Sequence, residues 1–215
     1  MKYIIMCGGR YYKWQIPRQF VMINGEAIVA RTIRLLRENG VEDIAISTND
    51  PRFGMYGVPL LSHENRFDTI GNGSWVDGFY PVTEPVCYIL GDVVFSPEAI
   101  REIVNTETDG VEFFASCPPF HEDYSKPWAE PFAFKVVDLE RFFKARDFVR
   151  ENEQTGLYRR RPISWEFWQA IHGGQPNEID YGSYHAINDY TCDVDAPEDA
   201  FRMELIIQHY ERTRK

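Results

Sequence analysis

Along the first half of the chain, short wholly apolar runs alternate with stretches in which apolar residues recur every three or four positions. That is the pattern of buried parallel strands joined by amphipathic crossover helices. Residues 3–6 read as a first buried strand. Residues 27–37 read as a helix with Ile28, Val29, Ile33 and Leu36 on its inner face, ended by Gly40. Strands follow at Ile44–Ser47 and Val86–Leu90, with a short helix over 74–79 between them and a helix over 97–104 entered through Ser96 and Pro97. The second half is less regular. Its pattern predicts strands at 111–115 and 132–136, a helix over 139–148 capped by Asp138, and an aromatic helix over 165–171 broken by Gly173-Gly174. A last helix runs from Pro197 to about Arg212. The expected architecture is a single α/β domain over residues 1–215, its sheet mostly parallel and mixed in the second half. No repeat, low-complexity segment or linker divides it.

Composition narrows the possible partners. With 44% hydrophobic residues in 215, the chain can bury one sizeable core. A net charge of −10 argues against an extended nucleic-acid or anionic-membrane surface, so any phosphate is expected to be bound locally. The apolar runs reach only about six residues, against the roughly 20 that span a bilayer, and the first meets Gly8 too soon for a secretory leader. A cytoplasmic protein is expected. Cys7, Cys87, Cys117 and Cys192 lack C-x-x-C spacing and read as reduced thiols, mostly core residues.

Three segments carry candidate chemistry. After the first strand comes Cys7-Gly8-Gly9-Arg10, with Lys13 and Arg18 a few residues on. Glycines at the carboxyl end of a first parallel strand let backbone N–H groups approach an anion, and nearby cations can neutralise a triphosphate. The alternative is a tight turn with solvated charges. Neither G-x-G-x-x-G nor G-K-[ST] is present. Leu90-Gly91-Asp92 then ends an apolar strand in a carboxylate, where open α/β sheets bind ligands and a divalent ion is a natural partner. Asp193-Val194-Asp195 precedes a helix opening with Pro197, so Asp195 reads either as a helix cap or as a second metal ligand.

Together these segments resemble the nucleotidyltransferase superfamily with the glycosyltransferase-A-like fold, a Rossmann-like three-layer arrangement, and in particular its small cytidylyl- and sugar-phosphate nucleotidyltransferases. Pro17-Arg18-Gln19 is similar to the family's Pro-Lys-Gln, Asp92 to its middle metal ligand, and Val194-Asp195-Ala196-Pro197-Glu198-Asp199 to its closing I-D-T-P-E-D. Ser74-Trp75-Val76-Asp77-Gly78 resembles the Ser-Val-x-x-Gly segment of methylerythritol-phosphate cytidylyltransferases, which implies a base contact at Ser74 and a tilt to CTP. Glu130 to Lys135 resembles a strand near the acceptor pocket of phosphocholine transferases. Tyr11 departs from the pattern, standing where the family has a second glycine.

The resemblance implies transfer of a nucleoside monophosphate to a small phosphate, phosphonate or sugar-phosphate acceptor, with release of pyrophosphate. Mg²⁺ or Mn²⁺ would be held by Asp92 and Asp195 with Asp193; Arg10, Lys13 and Arg18 would act on the triphosphate; Cys7, Gly8, Gly9 and Ser74 would cradle the nucleotide. Glu130, Lys135 and Trp165 are acceptor candidates. Trp128, Trp165, Trp168, Tyr181, Tyr184 and His185 could cage a quaternary amine, or be core or homodimer contacts. Arg159, Arg160 and Arg161 could hold an acceptor phosphate or form a solvated face. Two other functions stay open: a metal-dependent glycosyltransferase using Asp193-Val194-Asp195, and a non-catalytic nucleotide-binding protein.

Overall fold

The computed structural model describes residues 1–8, 16–63, 73–116, 129–179 and 183–213. Its main sheet has seven strands: β1 (Lys2–Met6), β4 (Ile44–Ser47), β5 (Leu60–Leu61), β6 (Val86–Leu90), β8 (Val111–Ser116), β9 (Pro131–Val136) and β10 (His185–Ile187). They lie in the order β10-β8-β9-β6-β1-β4-β5. Only β9 runs against its neighbours β6 and β8; the pairs β1/β6, β1/β4, β4/β5 and β8/β10 are parallel. The mixed, mostly parallel α/β sheet expected from the sequence is therefore present.

Alternation along the strands sorts side chains onto two faces. Tyr3 and Ile5 of β1 meet the helices α1 (Ile28–Glu38) and α2 (Pro97–Asn105) through Val29, Ile33, Leu36, Ile100 and Ile103. Ile4 points the other way, into a cluster with Phe142 and Val149 of α3 (Leu139–Asn152) and Trp165, Phe167 and Trp168 of α4 (Ser164–His172). Sheet and helices thus form three layers.

Local signals explain the helix ends. Ser96 Oγ accepts the Ala99 N–H at 2.8 Å and Asp138 Oδ1 accepts that of Arg141 at 3.0 Å. Gly40 and Gly173 take positive φ where α1 and α4 stop. The segment over 74–79 is a single 3₁₀ turn, Trp75–Gly78, and α3 continues four residues beyond Phe148.

Two small ribbons escape the hydrophobic pattern. One pairs β2 (Met22–Ile23) with β3 (Glu26–Ala27); the other pairs β7 (Val93–Val94) with β11 (Cys192–Asp193), antiparallel, before the last helix α5 (Pro197–Thr213). The second ribbon matters most, because it brings the late carboxylates back to the end of β6.

Candidate active site

The site begins where β1 and β6 end side by side. Gly91 N–H donates to the Met6 carbonyl at 3.1 Å, and a Cβ at Gly91 would stand 2.6 Å from that oxygen and 2.7 Å from Cys7 Sγ. Only glycine lets the two strand ends approach so closely. Asp92 follows at once, and its carbonyl accepts the Val194 N–H at 2.9 Å, one rung beyond the β7/β11 ribbon. Ser96 and Asp189, joined through their side chains, and Ser96 N–H to Thr191 Oγ1 at 3.0 Å anchor the returning chain just upstream.

Between the carboxylates lies Arg18, from the 3₁₀ turn Arg18–Phe20. Its Nη2 is 2.9 Å from Asp92 Oδ2, and its Nη1 is 2.5 Å from Asp195 Oδ1 and 3.4 Å from the Val194 carbonyl. Burial works against the guanidinium charge, but the fields of Asp92, Asp195 and Asp193 outweigh it and raise the Arg18 pKa. Asp199, in the first turn of α5, accepts the N–H groups of Asp195 and Ala196 at 3.1 and 2.9 Å and so ties the segment that carries Asp195 to the start of that helix.

Asp92, Asp195 and Arg18 open onto a cavity of about 440 Å³ that Asp193, Glu130 and Trp165 also line. Six of the expected site residues, from five distant stretches of sequence, thus share one space. Trp75 and Leu90 form one wall; Ile163, Ser164 and Arg160 stand at the start of α4. Among the described residues no three side chains of His, Cys, Asp or Glu form a metal-ligating cluster, so Asp92 and Asp195, both in contact with Arg18, are the pair the structure brings together. Trp165 is fixed by its indole N–H, which donates to the Ala129 carbonyl at 2.9 Å.

One expectation needs correcting. Lys135 does not line the cavity: its Nζ donates to the carbonyls of Ile103, Val104 and Thr106 at 3.1, 2.8 and 2.6 Å, closing the C-terminus of α2. A cation there satisfies carbonyls that a helix end leaves open. Trp168, Tyr184 and His185 have protein partners, in keeping with the core alternative. Trp168 packs on Phe113 in the core, Tyr184 donates to the Ser116 carbonyl, and His185 lies between Glu102 and Glu112. Trp128 and Tyr181 lie outside the described residues.

On the nucleotide side, Cys7 is fully buried, and burial followed by the charge of Asp92 pushes its thiol pKa well up. It contributes backbone and bulk rather than a nucleophile. Gly8 is exposed and faces His63, whose imidazole would stand 3.0 Å from a Cβ placed there. His63 Nδ1 is 2.9 Å from Ser47 Oγ, which reaches the Gly78 carbonyl at 3.0 Å, so the ends of β1 and β4 and the Trp75–Gly78 turn are tied together. Asp77 in that turn is buried against Arg150 of α3 at 3.0 Å. The Ser74 hydroxyl does not cap the turn; it is buried with no hydrogen-bond partner among the described residues. Gly9, Arg10, Tyr11 and Lys13 lie outside the described residues.

His63, Trp75, Gly91 and Ser164 were not singled out as site residues from sequence, whereas Arg160 was weighed there as an acceptor-phosphate contact against a solvated face. Gly91 alone had a local signal, its place between a buried strand and a carboxylate. The others are brought in by the Leu60–Leu61 edge strand, the 3₁₀ turn and the start of α4, none of which the hydrophobic pattern fixes.

The profile of the MobA-like NTP transferase domain matches residues 3–153. No curated protein matches the chain significantly. Among solved structures, one assigned as a glucose-1-phosphate thymidylyltransferase from Bacillus anthracis, in complex with sucrose, is similar in fold at 14% identity and a TM-score of 0.59. The match covers 95% of this chain and 94% of that one. The described residues contain no helix long and apolar enough to cross a membrane.

Proposed function

The chain belongs to the MobA-like NTP transferase family, and from that premise we propose that it transfers a nucleoside monophosphate, CMP by preference, to a small anionic acceptor in the cytoplasm. The observation that carries the proposal is the convergence of Asp92 and Asp195 on one cation at the carboxyl ends of β1 and β6, facing a cavity.

The donor set suits Mg²⁺ or Mn²⁺. Both carboxylates are hard oxygen ligands, and Mg²⁺ is commonly bound by one or two carboxylates plus substrate phosphates. Arg18 already stands as a positive charge between them. Asp92 and Asp195 would hold the ion, with Asp193 adding its field; bound there, it supplies charge neutralisation for the α-phosphate.

The chain's own residues then have separable tasks. Arg18, with Arg10 and Lys13 of the first loop, offsets the triphosphate charge, while Gly8 and Gly9 let backbone N–H groups approach it. Cys7 shapes the floor, and the unpartnered Ser74 hydroxyl suits a hydrogen bond to the base, the support for CTP. Glu130 and Trp165 border the acceptor. An acceptor oxyanion attacks the α-phosphorus in line; the new P–O bond forms as the bridging α–β P–O bond breaks, and pyrophosphate leaves with that electron pair. Positioning and electrostatics suffice for such a step.

The test is pyrophosphate release from CTP, UTP, GTP and ATP with Mg²⁺ and a panel of phosphate and phosphonate acceptors. Asp92→Ala is expected to lower turnover by at least about 100-fold, the scale of losing one preorganised electrostatic group. Near-normal turnover in that variant removes the assignment. Nucleotide binding without pyrophosphate across the panel makes the protein a non-catalytic binder.

A further inference from the structure

Two chemically different groups line the cavity: Asp92, Asp193 and Asp195 with Arg18, and Ser164, the first residue of α4, with Arg160 just before that helix. We infer that this second group forms an anion subsite that docks the acceptor by a phosphate, phosphonate or carboxylate group, so the acceptor is selected as an oxyanion by Arg160 and Ser164. The inference rests on the proposed transfer for its role, but not for the existence of the subsite.

Three observations support it. The α4 helix is nine residues long, and its first N–H groups have no intrahelical acceptor, which leaves a partial positive charge at that end. Ser164 is fully buried, lines the cavity, and its Oγ has no hydrogen-bond partner among the described residues. A buried hydroxyl without a partner is unfavourable, and a ligand oxygen at the cavity wall would supply the missing bond.

Arg160 adds a full charge. Its Nε donates to Glu166 Oε1 at 2.6 Å, while its two Nη groups have no acceptor among the described residues. The planar fork is thus oriented by one edge with its terminal donors left over, the arrangement that suits a tetrahedral or carboxylate anion. Glu166 is occupied twice, by Arg160 and by the Ile163 N–H at 3.1 Å, and is held against the protein side of the turn. The acidic group repels an anion unless a cation is bound there. A free oxyanion is therefore directed to α4.

Calorimetric titration of the full chain with inorganic phosphate tests this, with and without saturating Mg²⁺ and a CTP analogue carrying a methylene between its α- and β-phosphorus atoms. Wild-type protein is expected to bind phosphate in both conditions. Arg160→Gln and Ser164→Ala are each expected to weaken phosphate at least fivefold and to leave the affinity for the CTP analogue unchanged. Arg160→Gln takes the counter-charge from buried Glu166, which keeps the Ile163 N–H, so melting curves check both variants. Unchanged phosphate affinity in Arg160→Gln, no phosphate binding to wild type, or displacement of phosphate by the CTP analogue overturns the subsite. Failure of the analogue to bind, with phosphate still lost in the variants, sinks the nucleotidyl-transfer reading and leaves the subsite standing.

Discussion

Arg18 holds Asp92 and Asp195 together before any ligand arrives, and a divalent cation at the same carboxylates must compete with it. Arg18→Met is therefore expected to act in two directions. Without the guanidinium, two facing carboxylates lose their counter-charge, and the metal-free protein loses about 1–2 kcal/mol, a discounted figure because Asp195 is half exposed. With that competitor removed the pair should bind Mn²⁺ several-fold more tightly, while pyrophosphate release falls for want of a cation on the triphosphate. Electron paramagnetic resonance titration with Mn²⁺ measures this, and affinity that stays level or weakens would contradict the competition. The buried thiols make a second residue-scale prediction. Burial pushes Cys87 up to about 12, with Lys135 opposing, and pushes Cys7 up as well. An unfolded thiol ionises near 9, so above that pH the unfolded state binds fewer protons than the folded one, and stability falls as pH rises toward 12. Between pH 8 and 10 the Cys87 thiol alone should cost about 1 kcal/mol, and Cys7 acts in the same direction. Urea melts at both pH values check this, and Cys87→Ala should remove one thiol's share of the slope.

At the scale of elements, Lys135 shows how a residue chosen by resemblance turns out to have another task. Its ammonium closes α2 with three carbonyl contacts, so Lys135→Met should destabilise the fold by about 2–3 kcal/mol while leaving the acceptor KM unchanged. A raised KM with unaltered melting would return it to the acceptor site. What sequence could show follows from the length of each element. β1, β4 and β6 are continuous buried runs bounded by turn residues, and α1 carries a full apolar face, so each was legible almost to the residue. The 2-residue strands of β7 and β11 have no period to read, yet they set Asp193 against Val93 and so carry Asp195 to Arg18. The carboxylates themselves were legible, because a charged residue at the end of a buried strand is costly without a partner. Their partner was not, since Arg18 reaches them from a turn more than 70 residues before Asp92.

For the whole molecule, the matched family region ends at residue 153, while α4, β10, β11 and α5 all follow it. That later part is built into the earlier one. β10 extends the main sheet beside β8, β11 pairs with β7, and Met203, Ile206 and Ile207 of α5 pack with Ile23, Ile28 and Val94. Trp165, Phe167 and Trp168 of α4 complete the core on the face of the sheet opposite α1. The site follows the same division: Arg18 and Asp92 come from the matched region, Ser164, Trp165 and Asp195 from beyond it. We therefore propose that the chain folds as a single unit and that ligand binding stabilises all of it. Calorimetry should give one transition whose calorimetric and van't Hoff enthalpies agree. Mg²⁺ with a nucleotide at 100 times its Kd should add about 2.7 kcal/mol, a rise of roughly 5–10 °C for a domain of this size, reversed by EDTA. The same shift should appear in the fluorescence melt dominated by buried tryptophans and in far-ultraviolet dichroism. Two transitions, with only one moved by the nucleotide, would mean that residues beyond 153 fold apart from the region that binds it, and that the site as described cannot assemble in one step.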